Sequence, residues 1–195
     1  MPAVTTKRLV WLTLAAPAAV FAAMAARLPA PDWEELLHPT GELSARLLIL
    51  ALAATPLLRL FPGSRIVRFL VRHRRAVGVA AFGYAALHLL FYAVAMGTLS
   101  NMLAEIGAPG IWTGWLALLL MLPLAITSND RSQRLLAAGW KRLQRLAYPV
   151  ALLTLAHWAL IHDDAVAALL HFVPLALLQL ARVRRPRFTT GEVHA

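Results

Sequence analysis

The chain has 195 residues, 60% of them hydrophobic, a formal net charge of +10 and no cysteine. Soluble domains sit near about 45–50% apolar; here the excess is gathered into long runs, which marks a membrane protein. The absent cysteines exclude disulfides, iron–sulfur clusters, thiolate haem ligation and covalent c-type haem attachment, while the basic residues lie in loops between apolar runs and so point to membrane topology rather than to nucleic acid.

Six apolar runs follow in chain order, at roughly 9–26, 43–60, 76–96, 111–127, 146–162 and 165–181. The first follows Lys7 and Arg8 as a signal peptide would. At about 18 residues it exceeds the usual signal core of about 7–15, so a retained first helix is expected. Several of the others lie near the lower limit of about 17 residues for crossing a bilayer. Backbone groups in lipid must be satisfied internally, so the spans are read as helices. Pro17, Pro56, Pro123, Pro149 and Pro174 lie within or near the ends of these runs, a pattern that membrane helices tolerate. Trp112 and Trp115 sit where interfacial anchors belong.

No internal repeat is evident, and no linker is long enough to separate domains. The reading is an all-α, polytopic membrane bundle of six transmembrane helices, one domain over 1–195. Charge sets its orientation. Of the 19 basic residues, 17 precede run one, lie between runs two and three or four and five, or follow run six; only Arg27 and Arg46 lie on the other side. Seven of the nine acidic residues segregate oppositely. Both termini are therefore expected to be cytoplasmic.

Two runs hold an ionisable side chain deep in apolar sequence: His88 in YAALHLLFY and His157 in LLTLAHW. Counted from the inner ends of their runs at about 1.5 Å per residue, they lie about 18 Å and 16 Å up. Two helices running the same way thus bring two imidazoles to one level. A b-type haem between them would take one axial nitrogen from each. Neutral imidazole carries no charge into lipid, and ligation from both sides favours electron transfer over oxygen activation. Gly78, Ala81, Gly83 and Ala85 are expected to leave room on the third run. A single buried histidine also serves by bonding a neighbouring helix. Closed zinc sites want four ligands, and no local cluster supplies them. His171 and His73 are the further candidate ligands. His38 and His162 are read as loop residues, and His194 lies in the polar tail.

Several blocks, in order, are similar to a known family: HPTGELSARLLILALAATPLLR, RRAVGVAAFGYAALHLLFY, ITS and GWKRLQRLAYPVALLTLAHW. Together the chain resembles the MsrQ (YedZ) family of the ferric-reductase-like transmembrane group. The resemblance implies six helices in a bacterial inner membrane, with His88 and His157 matching family haem ligands. It implies an electron-transfer subunit rather than a stand-alone enzyme, with no catalytic residue of its own. Electrons would pass from quinol or a cytosolic flavin reductase to a periplasmic molybdopterin methionine sulfoxide reductase, MsrP-like, with FMN or a quinone as further cofactor candidates. The family pattern has another histidine 13 residues before the one matched by His157; here that position is Gln144. The wider group often pairs it with a histidine at the position of Arg74, beside His73. One haem b is therefore expected. The departure also motivates an alternative: a structural or accessory subunit of a larger membrane redox complex. The arginine-rich inner loops offer contacts to membrane lipid.

Overall fold

The computed structural model describes residues 2–27, 33–161 and 165–184. Among these every element is helical: α1 Pro2–Arg27, α2 Trp33–Leu60, α3 Arg65–Met96, α4 Leu99–Glu105, α5 Pro109–Ile126, α6 Asp130–Leu136, α7 Ala138–Gln144, α8 Ala147–Ile161 and α9 Ala165–Arg184. The six apolar runs fall in α1, α2, α3, α5, α8 and α9. His162, Asp163, Asp164 and His194 lie outside the described residues.

Helix ends follow local chemistry. The Ser64 hydroxyl caps α3 by accepting from Val67 N–H, and Gly97 closes it at a φ of +69°. That left-handed turn suits glycine because no Cβ opposes it. Thr98 and Asn129 cap α4 and α6, and Pro109 opens α5, where a missing N–H costs nothing. The helices outrun the apolar runs. α3 begins 11 residues before its run, through Arg65, Arg68, Arg72, Arg74 and Arg75. Basic side chains end the apolar pattern without ending the helix. The short α4, α6 and α7, of 7 residues each, have too few turns to show a period in the sequence.

Among the described residues five helices are long and apolar enough to cross a membrane: α1, α2, α3, α5 and α9. With the family assignment below, this makes a multi-pass membrane protein. α8 has 15 described residues, about 22 Å at 1.5 Å each, against a hydrocarbon core of about 30 Å. Its start is fixed by Pro149, which cannot donate to Arg145 O. Tight turns replace that bond, with Leu146 N–H on Leu143 O and Tyr148 N–H on Arg145 O.

The core is built on two tightly packed helix pairs, α2 with α3 and α5 with α8, closed by α9 against α2 and α8. Alanines let the backbones approach: Ala45, Ala53, Ala54, Ala81 and Ala168 are buried. Ser44 Oγ donates to Ala81 O across the first pair at 2.9 Å, and Gln179 Nε2 donates to Leu52 O at 3.0 Å. Leucines such as Leu119, Leu152, Leu170 and Leu177 are exposed, as lipid-facing side chains are. α1 touches the rest lightly, and a polar joint ties it to α3. Pro17 disturbs its ladder, and the Tyr84 hydroxyl inserts there: it donates to Leu14 O at 2.6 Å and accepts from Ala18 N–H at 3.1 Å.

Candidate functional site

His88 projects from α3 onto α2. A Cβ on Gly41 would lie 2.8 Å from its Nδ1 and 2.9 Å from its Cε1, so only glycine admits the ring there. Nδ1 lies 2.9 Å from Leu37 O, the carbonyl four residues before that glycine. The same carbonyl accepts the Thr40 hydroxyl at 2.7 Å.

His157 repeats each contact from α8 onto α5. A Cβ on Gly114 would lie 2.6 Å from its Nδ1 and 2.7 Å from its Cε1. Nδ1 lies 2.7 Å from Gly110 O, again four residues before the glycine. Thr113 donates to that carbonyl at 2.8 Å. Each helix pair thus contributes one imidazole, one Thr-Gly step and one shared carbonyl. Both threonines are buried.

The carbonyls fix the tautomers. A carbonyl oxygen only accepts, so each Nδ1 carries the proton and each Nε2 keeps its lone pair. The two ring centroids stand 6.0 Å apart at an interplanar angle of 88°. Metal–imidazole bonds of about 2.0 Å, with about 1.2 Å from nitrogen to ring centre, ask for little more than 6 Å between centroids. Both rings border one cavity of about 130 Å³, whose walls include Ala45, Ala85, Ala117, Leu118, Met121 and Trp158. Among the described residues no group of three or more metal-binding side chains forms a cage for a bare ion. Two imidazoles on one mostly apolar, glycine-cleared cavity fit a flat macrocycle that brings its own equatorial ligands.

His171 and His73 stand elsewhere. His171 packs on Trp158 with ring centroids 4.8 Å apart; its Nδ1 meets Ala167 O at 2.8 Å and its Nε2 accepts from Arg46 Nε at 3.4 Å. His73 packs on Phe69 at 4.4 Å, and its buried Nε2 has no hydrogen-bond partner among the described residues. Neither borders the cavity between His88 and His157. His38 does border it, 3.4 Å from Glu42, which in turn pairs with Arg46 at 2.8 Å.

A second cavity of about 280 Å³ lies toward the other ends of the same helices. Leu48, Phe82, Met121 and Leu124 form its apolar side, while Arg74, Arg75, Lys141, Arg145 and Arg182 form a basic rim. Met121 borders both cavities. Among the described residues no histidine borders this one. Gln144 occupies its wall, with Nε2 at 3.3 Å from Leu124 O and 3.4 Å from Thr127 Oγ1. Arg74 reaches across to Thr55 Oγ1 at 3.0 Å.

The sequence reading expected room for a cofactor on the third run. Ala85 does line the first cavity, but a Cβ on Gly78 or Gly83 would meet nothing within 4 Å. The clearance comes from Gly41 and Gly114 on the neighbouring helices, because a ring's face rests on the helix opposite, not on its own. The reading also found no repeat. The signal was short: Thr-Gly at 40–41 and again at 113–114, a dipeptide that also occurs at 190–191.

A family model described as ferric reductase like transmembrane component matches residues 40–155. The protein-methionine-sulfoxide reductase heme-binding subunit MsrQ of Caulobacter vibrioides is 37% identical over 191 residues, covering 94% of this chain and 89% of the relative. Proteins of the same name from Xanthomonas axonopodis pv. citri and Xanthomonas campestris pv. campestris are 39% and 40% identical over 148 residues, covering 74% of this chain and 66% of each relative. No solved structure matches at comparable significance. With the matched region running from the Thr40–Gly41 step to within two residues of His157, the chain belongs to the ferric-reductase-like transmembrane family, among the MsrQ proteins.

Proposed function

We propose that the chain is a haem-binding electron-transfer subunit of a membrane methionine sulfoxide reductase system. One observation carries the reading: two imidazoles, each tied at Nδ1 to a backbone carbonyl, stand 6.0 Å apart across one cavity. His88 and His157 would hold a single haem b through Nε2. When bound, haem supplies a one-electron couple between ferric and ferrous iron. With both imidazoles serving as its ligands, the iron would have no site left for oxygen. The apolar walls keep water from the ring edges, and the carbonyls hold each imidazole in one tautomer.

The inner cavity, adjoining the first at Met121, suits the donor side. Its basic rim and apolar wall would receive quinol from the bilayer, or FMN from a cytosolic flavin reductase. The acceptor on the opposite side would be an MsrP-like periplasmic molybdopterin reductase. In this reading α8 is the sixth span, both termini are cytoplasmic, and the membrane is the bacterial inner membrane. The charge asymmetry supports that orientation.

The purified, haem-replete protein is expected to show a low-spin b-haem spectrum with a Soret band that shifts on dithionite. His88→Ala and His157→Ala should each abolish it. A protein lacking that band, or keeping it in both variants, rules the reading out.

Gln144 in the inner cavity favours a second reading, an accessory subunit of a larger membrane redox complex, with haem retained or lost. Stable copurification with respiratory subunits in place of a molybdoenzyme would select it.

A further inference from the structure

We propose that Thr40 and Thr113 tune the redox poise of the site through the carbonyls they share with the histidines. This rests on the haem reading above and adds two positioning residues to it. Helical threonines commonly bond back to the carbonyl four residues earlier. Thr13, Thr127 and Thr154 donate to that carbonyl alone, at Leu9, Pro123 and Val150. Thr40 and Thr113 share their one hydroxyl proton with a second carbonyl, three residues back: Thr40 Oγ1 lies 3.0 Å from Leu36 O and 2.7 Å from Leu37 O, and Thr113 Oγ1 lies 2.8 Å from both Pro109 O and Gly110 O. In both cases the second carbonyl is the one that receives the imidazole.

A carbonyl oxygen has two lone pairs. Leu37 O and Gly110 O stand inside helices and also serve a hydroxyl and an imidazole. Each added donor weakens the pull on the others. The Nδ1 proton is therefore held more tightly by its ring than it would be against an unshared carbonyl. The ring keeps less anionic character, Nε2 donates less charge to iron, and the ferrous state gains. A hydrogen bond from the ligand's far nitrogen is known to raise ligand basicity; the threonines moderate that effect on both sides alike.

The test is an equilibrium redox titration of the haem-loaded protein. Thr40→Val and Thr113→Val keep the side-chain shape and remove the hydroxyl. Each is expected to lower the ferrous-to-ferric ratio at fixed potential by up to about tenfold, a midpoint about 59 mV more negative for one electron. The double variant should shift further, and the low-temperature EPR g-values should move with the midpoint. Thr40→Ser and Thr113→Ser should stay at the parent value. The proposal is overturned by valine variants that keep haem with an unmoved or more positive midpoint, or by serine variants that shift as far as valine. Haem loss from both valine variants with unaltered serine variants also overturns it, since the hydroxyls would then hold the rings without tuning them. A parent protein without low-spin haem instead sinks the underlying haem reading, so the two failures are told apart.

Discussion

At Gly114 a single added methyl group decides whether His157 keeps its place, since it would stand 2.6 Å from Nδ1 and 2.7 Å from Cε1. Neither the ring nor the α5 backbone yields cheaply, and overpacking of this kind costs about 1–3 kcal/mol. Gly114→Ala is therefore expected to cut bound haem severalfold in a pyridine haemochromogen assay, with Gly41→Ala acting likewise on His88. Gly83→Ala, which meets open space, should retain the parent haem content; an equal loss there would remove the cradle argument. The histidines themselves were legible because an ionisable side chain in an apolar run is conspicuous. The glycines were not, because a glycine in a helix looks the same whether its missing Cβ faces lipid, as at the exposed Gly83, or an imidazole.

At the level of elements, the joint between α1 and α3 is the most local dependency in the fold. Tyr84 bridges Ala18 N–H and Leu14 O, restoring through its hydroxyl a turn that Pro17 disturbs. Tyr84→Phe leaves both backbone groups without that partner inside an apolar layer. Unsatisfied buried groups cost about 1–3 kcal/mol. The variant should lower the thermal midpoint of the detergent-solubilised protein while the haem spectrum of the remaining folded fraction stays unchanged. A midpoint equal to the parent's would show that α1 is held by lipid-like packing alone. The proline was legible in the sequence as one that a membrane helix tolerates. Its repair was not, because the repairing residue lies 66 positions away.

For the molecule as a whole, charge is distributed by side as well as by site. On the basic side Asp130 meets Arg75 at 2.6 Å and joins α6 to α3. The hydrogen bond and charge of Arg75 hold the Asp130 carboxyl below the ordinary carboxylate range. A lowered folded-state value means that the contact stabilises above the ordinary carboxylate pKa of about 3.9 and is lost as pH falls through the folded value. Asp130→Asn should therefore be slightly less stable than the parent at neutral pH, and the gap in thermal midpoint should close as pH falls below about 4. A gap that is unchanged at low pH would show that the loss is not electrostatic. The effect is small because both partners are solvent-exposed.

Hydropathy and charge, summed along the chain, determined that this is an all-helical membrane protein and where its apolar runs lie. They also singled out His88 and His157, because burying an ionisable group in apolar sequence is costly enough to stand out without coordinates. Tertiary structure alone decided which backbone carbonyl each ring uses, that two helix pairs repeat one arrangement, and that a cavity without histidine ends beside Gln144. Those facts depend on which face of each helix meets which neighbour. A one-dimensional pattern records the period of a face but not its partner, so side chains separated by 47 and 51 positions, as in the two carbonyl contacts, become neighbours only when the helices pack.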